Sequence, residues 1–436
     1  MLWNLRRESR LPYWPLERVI GMQRRRIRSI VKHAWDNVPF YREAMREAGI
    51  GPRDIQTSAD LALLPILTKE EIARDPGRFE SRRHARGAIA LHSSGTGGLR
   101  TRIRYNPAAL FLALAHGQRN RLAMASILGR ALGYREADVG RPAALGITLR
   151  DFYNQHAWNP RGVDLDRIRL STEAPYEENL DRLNQFRPDV LCGYGSYIGA
   201  FFRWIHARQV CFHPPRMVMY GADLLSAADH ALIEEEYGIP VWSIYQASEA
   251  LRIGYFCERR REFHLCLDDV AVRVIDAQGR NVEPGGAGEL VLSNLTNRAT
   301  VLLNLRMGDI VTLGERPCDC GRSLPTIRSI DGRADDLLAM PDGTEVHALA
   351  LIWRLQNVPG VIQVQLVQEA LRRFRVRVVL DTAADPYQVR VGLEAGLRTA
   401  LHEDLTVDVE PLEHIPPQPS GKVKAVVRRF RHAAGA

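Results

Sequence analysis

Between about residues 87 and 250, short apolar runs alternate with helix-like segments, and this rhythm constrains the fold more than any other feature of the chain. Val190-Leu-Cys192, Met217-Val-Met-Tyr220 and Val241-Trp-Ser-Ile-Tyr245 are nearly unbroken apolar stretches, as strands buried on both faces require. Helical patterns follow several of them, the βα alternation of a mostly parallel sheet. Ala88 to Leu91 and Thr101 to Tyr105 read as two further strands around a Ser/Gly/Thr loop. From about 264 the pattern turns β-rich, with Val270–Ile275 and Glu289–Leu292 separated by Gly-containing turns. From about 333 it restarts as a compact α+β segment. It has a Pro-Asp-Gly-Thr turn at 341–344, a helix through Leu349–Leu355, strands near 361–367 and 373–380, and a helix at 386–402. The expectation is an α/β protein: a large domain over 1–332 with mostly parallel sheets and a β-rich part, then a small α+β domain over 333–436. The first 85 residues or so read as helical, with one helix over 17–49 and a capping-box start at Thr68-Lys-Glu-Glu71.

Composition removes several alternatives. No stretch approaches the roughly 18 apolar residues of a spanning helix. Charge in Met1 to Arg10 is not followed by an apolar core, so no secretory signal is expected. Six cysteines in 436 residues are too few for a disulfide scaffold and point to a reducing, cytoplasmic setting. The net charge of +8 arises from 59 basic residues spread among 51 acids, without a nucleic-acid-binding pattern. The one dense run, Arg24-Arg25-Arg26 with Arg28, reads as the solvated face of an amphipathic helix. Lysine is scarce: Lys32, Lys69, Lys422 and Lys424 are the only ones. Where positive charge is almost always arginine, a lysine marks a place for a compact ammonium.

His92-Ser-Ser-Gly-Thr-Gly-Gly98 is the strongest local signal. Three glycines let backbone amides converge, and Ser93, Ser94 and Thr96 add hydroxyl donors, which is what a polyphosphate needs. The Walker pattern is absent. A flexible surface loop is the competing reading; a position between two strand-like runs favours the functional one.

This loop resembles the signature of the adenylate-forming (AMP-binding) superfamily, in particular its phenylacetate–CoA ligase-like branch. Gly97 stands where that branch has a second Thr, Leu99 where it has Lys and Arg100 where it has Pro. Further motifs follow in the family's order over about residues 17–430. By this resemblance Ser93, Ser94, Gly95, Thr96, Gly97 and Gly98 hold phosphates, and Gly221, Ala222 and Asp223 form the adenine-side element. In Ile244-Tyr-Gln-Ala-Ser-Glu249, Tyr245 stacks on adenine, Gln246 replaces a Gly, Ser248 contacts phosphate and Glu249 holds Mg²⁺. Asp309 of Arg306-Met-Gly-Asp309 grips the ribose, Arg333 lies near the nucleotide, Asp335 is the hinge of a mobile small domain and Lys422 is the catalytic lysine. The chemistry of each residue type agrees. A carboxylate accepts two diol hydrogen bonds, oxygen suits Mg²⁺, and a mobile ammonium neutralises charge at a pentavalent phosphorus. The implied reaction joins a carboxylic acid and ATP into an acyl-adenylate, with coenzyme A as acyl acceptor. An amine acceptor, nucleotidyl transfer to a cofactor, or a degenerate nucleotide binder are the alternatives. The region after Asp336 departs from the phenylacetate ligases and looks like a subgroup that includes capsule-gene members.

Tyr153 and the run Gly193, Tyr194, Gly195, Tyr197 correspond to the family's acyl-pocket segment. With Phe201, Phe202 and Trp204 behind them, they suggest an aryl or hydrophobic acid; core packing of the aromatics is the other account. Cys257, His264, Cys318 and Cys320 offer three thiolates and an imidazole, enough for a structural Zn²⁺. Free buried thiols or a redox pair are the alternative, with Cys266 as a substitute ligand. Small-molecule partners are expected, without nucleic acid or a membrane span; on oligomeric state, a homodimer is one option the sequence leaves open.

Overall fold

The structure is a computed structural model. It describes residues 7–84, 87–93, 101–140, 149, 151–152, 155–156, 166–334, 336–401, 404–416, 418 and 423–430. Ser94 to Gly98, Tyr153, Asp335 and Lys422 therefore lie outside the described residues.

In chain order the helices and strands that matter are α1 (Leu16–Asn37), α2 (Pro39–Glu47) and α3 (Lys69–Arg74), then β1 (Ile89–His92), β2 (Arg102–Tyr105) and α4 (Pro107–Leu128). Next come β3 (Arg135–Val139), β4 (Asp166–Leu170), α5 (Tyr176–Phe186), β5 (Val190–Tyr194), α6 (Gly195–Arg208), β6 (Met217–Gly221) and β7 (Val241–Tyr245). The β-rich part holds β8 (Gly254–Phe256), β9 (Phe263–Leu265), β10 (Val270–Ile275), β11 (Ala287–Asn294), β12 (Leu305–Leu313) and β13 (Thr326–Arg333). The C-terminal part holds β14 (Leu337–Ala339), β15 (Glu345–His347), α7 (Leu349–Gln356), β16 (Val361–Ala370), β17 (Arg373–Leu380), α8 (Pro386–Leu401), β18 (Thr406–Pro411) and β19 (Val426–Arg428).

These elements form two compact units. One contains residues 1–134, 142–166 and 242–330, and the other 135–141, 167–241 and 331–436. In the first, strands run in the order β10-β11-β12-β13-β9-β8-β7, with antiparallel pairing at β10–β11, β11–β12, β13–β9, β8–β9 and β7–β8. The predicted helix over 17–49 is two helices. Val38 before Pro39 is extended, at φ −120° and ψ 115°, because a residue preceding proline is pushed out of helical space. The kink lets Tyr41 reach residues 301–303: its hydroxyl donates to Val301 O at 3.1 Å and accepts from Leu303 N–H at 2.7 Å. Arg24, Arg25 and Arg28 face solvent as expected. Arg26 does not, because it pairs with Asp269 at 3.1 Å. Behind it lies a buried ionic cluster in which Arg119 bonds both Glu8 and Asp268 (2.7 Å each), and His116 sits against Asp269. Burial of such charges is tolerable only when they are mutually paired.

In the second unit β5 pairs in parallel with both β3 and β6, the βα rhythm read from the sequence. Its core joins Leu191, Ile198, Phe202, Val218 and Val241 with Ile362 of β16. Residues from 338 onward build a separate core of their own, in which Phe374, Val376 and Val378 meet Leu351, Leu355, Leu393 and Leu397. The order there is β18-β17-β16-β19. The whole is the expected α/β class with a β-rich part and a C-terminal α+β segment. Among the described residues no helix is long and apolar enough to cross a membrane.

Candidate functional site

β1 and β2 pair antiparallel, and the register pair nearest the Ser/Gly/Thr motif is His92↔Arg102. Ser93 belongs to the neck of that motif. Its amide donates to Thr101 O at 2.9 Å, its hydroxyl shares a 2.7 Å bond with Thr101 Oγ1, and Thr101 N–H donates to Ser93 Oγ at 3.0 Å. The Ser93 hydroxyl is thus spent on closing the loop.

At the end of β7 the chain enters the Tyr245–Glu249 turn. Tyr245 Oη donates to Asp309 Oδ2 at 2.5 Å, which joins the two motifs that the sequence separates by sixty-odd residues. Ser248 contacts the hairpin twice: its carbonyl accepts from Tyr105 Oη at 2.8 Å, and its hydroxyl lies 3.5 Å from His92 O. Glu249 is 4% exposed. Its carbonyl accepts from Asn294 Nδ2 at 2.9 Å, which fixes the backbone while the carboxylate stays available. The partner of that carboxylate is Lys69 Nζ, at 3.9 Å, which also donates to Met307 O at 2.7 Å. Lys69 arrives there because Leu67 bridges β12, with Leu67 N–H to Asn304 O and Arg306 N–H to Leu67 O at 2.9 Å each. The Thr68 capping box then starts α3 with Lys69 as its first residue. Gln246 Oε1 accepts from Arg252 Nη1 at 3.2 Å. Tyr245 is thus tied to Asp309, Ser248 to the hairpin, and Glu249 to a lysine that the motif reading left unassigned. Its one sequence signal is the rarity of lysine in this chain.

In the second unit, Gly221 ends β6 and Ala222 takes a left-handed φ of 70°. Asp223 caps α6: its carboxylate accepts from Ser196 Oγ at 2.5 Å and from Ser196 N–H at 3.3 Å. A Cβ at Gly195 would fall 2.5–2.6 Å from the Leu224 backbone, so the helix start must be glycine to lie against 222–225. Gly193 packs on Val139, and Tyr194 is buried at the end of β5. Tyr197 points into the core, accepting from Asn179 Nδ2 at 2.7 Å and stacking on Phe201 at 6.0 Å, which in turn stacks on Trp204. The aromatics expected to line an acyl pocket are thus packed on one another. Arg333 ends β13.

The third group lies in the first unit. Cys257, His264, Cys318 and Cys320 present ligand atoms that all fall within 4.8 Å of one another. Cys257 Sγ and Cys318 Sγ are 3.8 Å apart, and Cys320 Sγ is 3.4 Å from His264 Nε2. Around tetrahedral Zn²⁺, with bonds of about 2.3 Å to sulfur and 2.0 Å to nitrogen, neighbouring ligands are separated by roughly 3.5–3.8 Å. The set fits that ion. Burial first, then Arg322, lowers His264 to about 4, which keeps the imidazole in its neutral, ligating form.

Known proteins resemble this chain in sequence and in fold. Residues 338–429 match the CapK C-terminal domain. The chain is 26% identical over 364 residues to the phenylacetate-coenzyme A ligase of Thermus thermophilus, covering 80% of this chain and 77% of that one. It is 23% identical over 423 residues to protein CapK of Staphylococcus aureus, covering 94% and 89%. In fold it is similar to 2-hydroxyisobutyryl-CoA ligase in the postadenylation state, with a TM-score of 0.77, 19% identity, and coverage of 96% and 91%. The chain is thus similar in sequence to phenylacetate-coenzyme A ligases and in fold to an acyl-CoA ligase. The CapK likeness extends over nearly the whole chain, beyond the matched C-terminal domain.

Proposed function

We propose that the chain activates a carboxylic acid with ATP as an acyl-adenylate and then passes the acyl group to coenzyme A. The observation that supports this reading is the Tyr245–Asp309 hydrogen bond, which joins two of the motifs, beside the Glu249–Lys69 ion pair on the same turn. In the first step a carboxylate oxygen attacks the α-phosphorus, the bond to the bridging oxygen breaks, and pyrophosphate leaves. In the second the CoA sulfur attacks the acyl carbon, AMP departs, and the thiol proton goes to solvent. Mg²⁺, when bound, screens phosphate charge. Glu249 is the residue that would hold it, a buried carboxylate whose backbone is fixed independently.

Asp309 takes the ribose hydroxyls, with Tyr245 Oη orienting its carboxylate, and Tyr245 supplies the ring for adenine. The loop over Ser94–Gly98, together with Gly221–Asp223, Ser248 and Arg333, completes nucleotide binding, while Ser93 holds the loop's neck. Leu99 leaves that loop without its lysine, and Lys69 supplies an ammonium beside Glu249 in its place. Lys422 is the catalytic lysine of adenylation, and Asp335 the pivot at the start of the small domain over 333–436. Cys257, His264, Cys318 and Cys320 hold a structural Zn²⁺. The setting is cytoplasmic.

Pyrophosphate release across a panel of carboxylic acids tests adenylation, and AMP formation with CoA or with amines added tests the acceptor. Acceleration by CoA supports the proposal; acceleration by amines alone replaces the acceptor, and no pyrophosphate with any acid refutes the enzyme reading. Metal analysis of the purified protein checks the tetrad: about one zinc per chain is expected, lost on Cys257→Ser.

A further inference from the structure

Among the described residues Arg252 has no carboxylate in hydrogen-bond or ion-pair contact. It lies at the end of the turn between β7 and β8, partly buried, and desolvation lowers its proton affinity. Its bonds are to Gln246 Oε1 at 3.2 Å and, at the limit of distance, from Nε to Ala113 O at 3.5 Å. A guanidinium has five N–H donors, so most of its capacity is open. Arg119 and Arg322, which are buried more deeply, each bond a carboxylate.

Two further features show that the surroundings are shaped to put it there. Gly117 sits inside α4, where alanine would be the better helix former. A Cβ at that position would fall 3.0 Å from Arg252 Nη2. With glycine there, the guanidinium lies against the helix without the crowding a Cβ would bring. Leu251, just before it, takes a left-handed φ of 64°, a costly conformation for a side chain of this kind. With it, Arg252 N–H bonds Ala250 O at 2.7 Å and Ile253 N–H returns to Tyr245 O at 3.0 Å. The strained turn thus carries Arg252 back against the residue that follows Tyr245.

We propose that the Gln246–Arg252 pair is the determinant of acid choice, and that the acid activated carries a second hydrogen-bond acceptor, most strongly a second carboxylate. This rests on the acid-ligase reading above, because the pair belongs to the Tyr245–Glu249 turn. Gln246 turns its carbonyl to Arg252, which orients the guanidinium and leaves the remaining N–H donors for the ligand. A planar fork of donors matches a carboxylate in two-point contact. An acid lacking the second acceptor leaves the partly buried guanidinium without a charged partner, and a site built this way discriminates against such analogues.

The test is pyrophosphate release with ATP and matched acids: succinate against butyrate, terephthalate against toluate, lactate against propionate. The wild type is expected to favour the first of each pair, most strongly for the two dicarboxylates. Arg252→Gln should lower those kcat/KM ratios at least about tenfold, while Arg252→Lys keeps part of the preference. Gly117→Ala, which displaces the guanidinium without removing it, should shift the ratios in the same direction, and it stands in if Arg252→Gln melts below the wild type. Preference for the simpler acids, or ratios unmoved in a natively melting Arg252→Gln, overturns the inference while leaving the ligase reading intact. Absence of pyrophosphate with every acid brings down the ligase reading and this inference with it.

Discussion

At the end of β7 the chain turns polar side chains toward β12, whereas at the end of β5 it turns aromatic ones into the core. Both places are ends of apolar strands, Ile-Tyr-Gln-Ala-Ser-Glu running into a turn and Cys-Gly-Tyr-Gly-Ser-Tyr running directly into α6. Tyr245 finds Asp309, and Glu249 finds Lys69. Tyr197 instead finds Asn179 and Phe201, and the polar group beside it, Ser196, is taken by Asp223. The difference lies in what passes by. A second motif-bearing strand and a lysine approach the first junction; a helix and the 222–225 backbone close on the second. A local motif fixes the course of the backbone, and distant segments decide what its side chains are for.

The sharpest way to break this contrast is Glu249→Gln. If the β7 junction is the reactive one, the swap removes a charge without changing shape, and adenylation should fall about a thousandfold, ~4 kcal/mol of barrier. Pyrophosphate release at saturating ATP measures it, and a loss under tenfold would contradict the assignment. Gly195→Ala probes the other junction through stability. Its Cβ would overlap the Leu224 backbone, and backbone cannot yield as a flexible side chain does. Denaturant melts should show a loss of about 3 kcal/mol; an unchanged midpoint would mean that α6 does not rest on that loop.

Much of this architecture is legible in the sequence. The long apolar runs at 190–192, 217–220 and 241–245 became strands because buried strands need no partner information beyond composition. The Thr68 capping box is local and formed as read. Three-residue strands such as β8 and β9 carry no usable period, and their pairing is set by neighbours. The motif residues could be found by their order along the chain. Lys69 could not, because its bond to Met307 spans 238 positions, and only its rarity hinted at it. The neck role of Ser93 was equally hidden, since Thr101 Oγ1 is a partner that no loop signature names.

Lys69→Met sharpens the β7 side at smaller magnitude. The lysine is partly exposed, so screening limits its value. A loss of roughly thirtyfold in kcat/KM for ATP, ~2 kcal/mol, is expected, with Lys69→Arg recovering little because a compact ammonium fits beside Met307 O. If neither variant alters ATP kinetics, the lysine serves only to hold α3 in place.

The smallest effect is the most discriminating, because it weighs core against pocket at one residue. Tyr197→Phe keeps the ring stacked on Phe201 and deletes only the hydroxyl that accepts from Asn179. Asn179 Nδ2 also donates to Ser171 O at 2.8 Å, so the amide is not left without an acceptor. The expected loss is therefore the net worth of one buried hydrogen bond, about 1 kcal/mol in a denaturant melt. A side chain packed in the core should leave the KM for the acid within about twofold, since the ring it presents to its neighbours is unchanged. A pocket wall would behave the other way, with stability nearly constant and selectivity between acids altered. The ratio of the two changes, read on one variant, decides which of the two junctions receives the acid.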